Sequence, residues 1–126
     1  MKVFDASAIL AMVFNEPGAD KVEALLQGSA VSISAVNLAE VVARLVERGF
    51  ALDHVDAICA GLRIEVVPLD TVTAQRSGKL RAATRALGLS LGDRCCLALA
   101  QGLNAEVVTA DRPWKALKGF RFTFIR

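Results

Sequence analysis

Residues 91–111, LGDRCCLALAQGLNAEVVTAD, decide the fold. Leu91 to Gln101 carries a helical apolar pattern, Gly102 opens a short loop, and Glu106 to Thr109 reads as a strand with Asp111 just past its end. The same alternation runs along the whole chain. Strand-like runs recur at Lys2 to Phe4, Ala30 to Ile33, Ile64 to Val67, Glu106 to Thr109 and Arg121 to Ile125. Helical patterns fill the gaps at Ser7 to Phe14, Ala19 to Gln27, Val36 to Glu47, Leu52 to Leu62, Thr71 to Leu87, Leu91 to Gln101 and a short Arg112 to Leu117. Strands alternating with helices predict an α/β fold, a parallel sheet of four to five strands covered by helices on both faces. Ligands of such sheets bind outside the carboxyl ends of the strands. Asp5 and Asp111 both fall just past a strand end, which first suggests that they face one pocket.

The 126 residues fit a single domain, 1–126, large enough for a real core, with no repeat, low-complexity tract or linker. Hydrophobic residues make up 54%, above the usual range. The excess points to buried strands, helices covered on more than one side, and room for a subunit interface. The longest apolar stretch, Ala8 to Phe14, is too short to cross a bilayer, and Asp5 and Ser7 break up a signal-peptide reading. No membrane association and a cytoplasmic location are therefore expected. Cys59, Cys95 and Cys96 are an odd number without C-x-x-C spacing, and read as small buried hydrophobes in a reducing compartment. A lone His54 makes a poor zinc site and reads as a surface residue.

Charge is unevenly spread. Residues 1–74 hold five basic and ten acidic side chains, and residues 75–126 hold ten basic and three acidic, within a net charge of +2. A basic half suits a polyanionic partner, although the Arg76, Lys79, Arg81 and Arg85 group reads equally well as a solvated helix face.

Four acids stand out against this apolar background: Asp5, Glu40, Asp93 and Asp111. Taken singly, three have capping explanations. Asp5 precedes a helix, Asp111 precedes Arg112-Pro113 at another helix start, and Ser90-Leu91-Gly92-Asp93 resembles a capping box. Glu40 resists that reading. It lies away from the stripe of Leu38, Val41, Val42 and Leu45, among Val36, Ala39 and Ala43, so its helix is expected to be covered on two sides. Isolated carboxylates are costly to bury, so four in one pocket would require a cation. With no His or Cys nearby they form the ligand set of a hard ion, Mg²⁺ or Mn²⁺. Such an ion can activate water against a phosphodiester. Ser7 and Thr109, each two residues from an acid, are placed to hydrogen-bond a ligand or a metal-bound water. Arg94 and Arg112 could hold flanking phosphates.

Val3-Phe4-Asp5-Ala6-Ser7, Asn37-Leu38-Ala39-Glu40-Val41, Leu89-Ser90-Leu91-Gly92-Asp93 with Leu97-Ala98-Leu99-Ala100, and Val108-Thr109-Ala110-Asp111 with Trp114 follow one another in order. In this the chain resembles the PIN-domain ribonucleases, and among them the VapC-type toxins of prokaryotic toxin–antitoxin pairs. The resemblance implies an α/β/α sandwich and a divalent-metal-dependent endoribonuclease acting on RNA. It implies that Asp5, Glu40, Asp93 and Asp111 form an acidic, metal-binding and catalytic quartet supported by Ser7 and Thr109. It also implies a homodimer neutralised by a small antitoxin. Three other readings stand beside it. One is a PIN-like nuclease that is not a toxin. Another is a haloacid-dehalogenase-like phosphoryl-transfer hydrolase with Asp5 as nucleophile, disfavoured because Ser7 occupies the position of its second Asp. The last is a non-catalytic module binding RNA or protein through the basic half.

Overall fold

The computed structural model describes all residues, Met1–Arg126. Five parallel strands, β1 (Lys2–Phe4), β2 (Val31–Ser34), β3 (Glu65–Val67), β4 (Glu106–Thr109) and β5 (Phe122–Phe124), form one sheet in the order β3-β2-β1-β4-β5. The α-helices are α1 (Ala6–Val13), α2 (Ala19–Gly28), α3 (Ala35–Glu47), α4 (Leu52–Gly61), α5 (Thr71–Lys79), α6 (Arg81–Thr84) and α7 (Leu91–Leu103). No helix is long and apolar enough to cross a membrane.

Adjacent residues on the central strands point to opposite faces, as the two-residue strand period requires. Phe4, Ile33 and Val108 bury against Ala8 and Ile9 of α1, Val22 of α2, Val41 and Leu45 of α3 and Val55 of α4. Val3 and Val107 bury on the other face against Cys96, Leu97 and Ala100 of α7 and against Trp114. Two cores with one sheet between them make an α/β/α sandwich. Double-sided burial explains why β1 and β4 read as continuous apolar runs. Cys95 and Cys96 are buried and Cys59 partly so, and all three are free thiols.

Chain order reverses at β1. The path runs outward through β2 and β3, then returns to place β4 on β1's other side. The resulting crevice opens between the carboxyl ends of β1 and β4, where the expected ligand site of an open parallel sheet lies. Phe4 pairs with Val108, and the Asp5 N–H donates to the Val108 carbonyl at 3.1 Å. This register brings the residues after the two strands side by side.

The expected helix Thr71 to Leu87 is broken into α5, α6 and a 3₁₀ turn, Arg85–Leu87. Its basic side chains at Lys79, Arg81 and Arg85 are exposed. The short helix after Asp111 is 3₁₀, Arg112–Ala116, consistent with its proline start. The small-residue surface expected around Glu40 is also corrected. Ala39 and Ala43 are exposed and only Val36 is partly covered, because α3 turns its Val41–Leu45 side to the core.

Candidate active site

Asp5, Glu40, Asp93 and Asp111 line one cleft of about 420 Å³, together with Ser7, Leu10, Phe14, Glu16, Arg44 and Arg126 among others. Within it, one carboxylate oxygen from each of Asp5, Asp93 and Asp111 lies within 4.8 Å of the others. Glu40 is outside that group. Four acids thus share a cleft, but three gather within 4.8 Å and the fourth stands beside Gly92, outside that group.

Asp5 is buried, 3% exposed, and fully engaged. Its Oδ1 accepts from Ser7 Oγ at 2.7 Å and from the Ala8 N–H at 3.2 Å, and its Oδ2 accepts from Thr109 Oγ1 at 2.9 Å. It caps α1 and faces the cluster at once. Burial outweighs these donors and pushes its carboxyl up to about 7, with Asp111's charge adding to the rise. Ser7 Oγ also accepts from the Ala110 N–H at 2.9 Å, and Thr109 Oγ1 accepts from the Asp111 N–H at 3.0 Å. The two hydroxyls therefore clasp Asp5 and tie the β4 turn to it; their bonds run to the acid and its neighbours.

Asp93 fulfils the capping-box reading. Its Oδ2 accepts from the Ser90 N–H at 2.8 Å while Ser90 Oγ accepts from the Asp93 N–H at 3.2 Å. The box leaves Oδ1 uncommitted. Asp111 departs from expectation, since its side chain makes no cap bond. A backbone at φ −89°, ψ 84° turns the carboxylate away from the following N–H groups, so it is free to face the cluster. Its carboxyl is raised by burial and by Asp93, and lowered by Arg126.

Glu40 is held from below. Asn37, 1% exposed, donates through Nδ2 to Glu40 Oε1 at 2.7 Å and to the Gly92 carbonyl at 3.0 Å, bridging α3 and α7. Burial raises the Glu40 carboxyl, the Asn37 bond lowers it, and Asp93's charge raises it further. Gly92 is what lets the carboxylate reach the cleft, because a methyl on Gly92 would occupy the space of the Glu40 carboxylate. Gly92→Ala is accordingly expected to displace the Glu40 carboxylate and break its 2.7 Å bond with Asn37 while leaving the fold intact, which circular dichroism and a crystal structure of the variant would check; a Glu40 carboxylate unmoved in a folded variant would refute it. Beneath the acids, the buried Cys96 thiol is pushed well above its ordinary value, first by burial and then by Asp5, Asp93 and Glu40, so it stays protonated and inert.

Arg94 and Arg112, expected to hold flanking phosphates, are not among the residues that line the cleft. Arg94 follows Asp93 by one residue, about 100° round the helix, and its Nη1 donates to the Ser77 carbonyl on α5 at 3.2 Å. Arg112 donates to the Arg126 carbonyl at 2.8 Å and stacks its guanidinium 5.5 Å from the centre of the Phe124 ring. The cations in the cleft are Arg44 and Arg126 instead. Arg44 carries a legible signal, lying four residues after Glu40 on the same helix face. Arg126 follows β5, as Asp5 and Asp111 follow their strands. Asn37 lies three residues before Glu40 on the same helix, a local pairing, whereas its bond to the Gly92 carbonyl is set by the approach of α3 to α7.

What this geometry can do is hold a hard cation. The donors are all carboxylate oxygens, and Asp5 is a buried acid with no cation of its own beside it. A divalent ion would relieve both its burial and the mutual repulsion of the cluster.

Residues 2–119 match the family described as PIN domain. A toxin–antitoxin complex from Klebsiella pneumoniae has a similar chain, at TM-score 0.79 and 19% identity over 100% of this chain and 98% of that one. DNA-bound VapBC from Salmonella typhimurium follows at 0.77 and 23%, over 99% and 98%. The Mycobacterium tuberculosis toxin VapC20, described as cleaving the sarcin–ricin loop, is similar at 0.74 and 16%, over 95% and 96%. No curated protein matches the sequence. At these identities the structural likeness speaks for the fold. The family match covers nearly all of the chain and includes every one of the four acids, and on that ground the chain belongs to the PIN domain family.

Proposed function

We propose that this chain is a divalent-metal-dependent endoribonuclease and the toxin of a toxin–antitoxin pair. The observation that carries the reading is the meeting of Asp5, Asp93 and Asp111 within 4.8 Å at the sheet's switch point, without a nitrogen or sulfur donor among them. Mg²⁺ or Mn²⁺ bound by these residues would polarise the phosphoryl oxygens of an RNA phosphodiester and lower the pKa of an attacking water.

The remaining work falls to the chain. Ser7 and Thr109 hold both oxygens of Asp5 in place, and the Ser90 box fixes Asp93, so the ligands are oriented before the ion arrives. Glu40, oriented by Asn37 and raised above its ordinary value, is suited to orient the water and receive its proton. The toxin role is supported by PIN membership and by likeness to chains named as toxin–antitoxin components. It implies a cognate antitoxin that covers the cleft and an action in the cytoplasm. The exposed Ala39, Ala43 and Val46 on α3 would suit a homodimer contact.

Asp93→Asn tests the proposal. Asn keeps an acceptor for the Ser90 N–H, so the fold should survive. Expression of the wild-type chain should arrest growth and leave cleaved RNA, and the variant should do neither. Full cleavage by Asp93→Asn would remove the proposed role of the cluster.

A further inference from the structure

Arg126 is pinned by contacts that have no evident purpose in the core. Its Nη1 donates to the Pro17 carbonyl at 3.2 Å and meets Glu16 Oε1 at 3.5 Å, while its own carbonyl accepts from Arg112 at 2.8 Å. Lys21 donates to the Phe124 carbonyl at 3.0 Å. Gly18, at φ +97°, lets the 16–18 turn lie against this segment: a Cβ built there would sit 2.5 Å from the Ile125 carbonyl oxygen. The turn before α2 thus latches residues 124–126 and delivers a guanidinium to the cleft. It stands near enough to Asp111 to lower that carboxyl. Arg44 reaches the same cleft from α3, tied only by a loose 3.9 Å contact with Glu47.

We infer that Arg126 and Arg44 form a two-sided anion subsite that holds backbone phosphates of the substrate on either flank of the carboxylate cluster. The inference rests on the nuclease reading for the identity of the anion, a nucleic-acid phosphodiester. A cleft whose floor is acidic repels a polyanion until a cation is bound. Guanidinium groups at the rim give flanking phosphates a partner, and their planar donors match phosphate oxygens. Arg126 is held in place, so it loses less freedom on binding and contributes more than Arg44. The competing role is internal: Arg126 could serve only as counter-charge to Asp111.

Binding is best measured in the Glu40→Gln background, which keeps the three clustered carboxylates and impairs cleavage, so that turnover does not intervene. The probe is a short fluorescein-labelled single-stranded RNA, followed by anisotropy in Mg²⁺ over a range of salt. Adding Arg126→Ala is expected to weaken binding about tenfold and to reduce the slope of log K against log salt by about 0.7, the value for one single-strand phosphate contact. Arg44→Ala should show the same slope change with a smaller loss. Arg126→Lys should recover part of the affinity. Unchanged RNA affinity and slope, with Mn²⁺ affinity altered in the Arg126→Ala single variant by calorimetry, would assign Arg126 to Asp111 and overturn the inference. If the wild-type chain cleaves no RNA, the nuclease reading fails. The binding comparison still decides the arginines.

Discussion

Replacing Asp5 by asparagine is expected to have two opposite effects: RNA cleavage falls by more than about 100-fold, beyond what loss of a merely supporting group around a metal costs, while the metal-free protein becomes more stable at pH 8. The first follows from removing a charged donor at the centre of the cluster. The second follows from burial. Asp5 titrates at about 7 in the fold, against 3.8 ordinarily. Between those values the folded state keeps a proton that the unfolded chain has released, so stability falls as pH rises from about 4 to about 7 and is flat above. The whole interval amounts to roughly 4 kcal/mol as an upper bound.

Asparagine has no charge to bury and keeps most of the geometry. Its Oδ1 can still accept from Ser7 and the Ala8 N–H, and its amide can donate to Thr109 Oγ1 in place of the bond it loses. Thermal melts in chelator at pH 5 and pH 8 would check the sign. The gain over wild type should be small at pH 5 and large at pH 8. A variant less stable than wild type at both values would show that the Asp5 bonds outweigh its burial cost.

The second large effect is that of the ion itself. Manganese at about a hundred times its Kd should add about 2.7 kcal/mol to stability, raising the Tm at pH 8 by roughly 10 °C for a domain of this size. The ion favours the ionised cluster, so it should also flatten the pH slope described above. Asp93→Asn and Asp111→Asn are expected to lose most of the rise. Glu40→Gln should keep most of it while still impairing cleavage, because Glu40 lies outside the group of three carboxylates that meet within 4.8 Å. A Glu40→Gln protein that loses the metal-induced rise as completely as Asp93→Asn would put all four acids in the ligand set.

Legibility of the site varied with how local each determinant is. The Ser90–Asp93 capping box is a four-residue pattern and forms as read. Asp5 could not be assigned to cap or cluster from its neighbours, and it proves to do both. Asp111 shares the same local signature, yet makes no cap bond, since the proline-led turn settles into 3₁₀ geometry that carries its carboxylate elsewhere. Arg94 and Arg112 attracted attention by adjacency to the acids. Adjacency on a helix separates side chains by about 100°, and the cations in the cleft come from residues 44 and 126.

Sequence alone determined the alternation of strands and helices, the parallel α/β order, and the placing of Asp5 and Asp111 just past strand ends. These depend on burial patterns and breakers within a few residues. Tertiary structure decided how the acids divide. The approach of α3 to α7 over Gly92, bridged by the buried Asn37, sets Glu40 beside Gly92 and outside the group that the other three form. It also decided which arginines reach the cleft, through the latch of residues 16–18 on residues 125–126. Such choices rest on contacts between segments far apart in the chain. They depend on the distance and angle between packed elements, which no local pattern encodes.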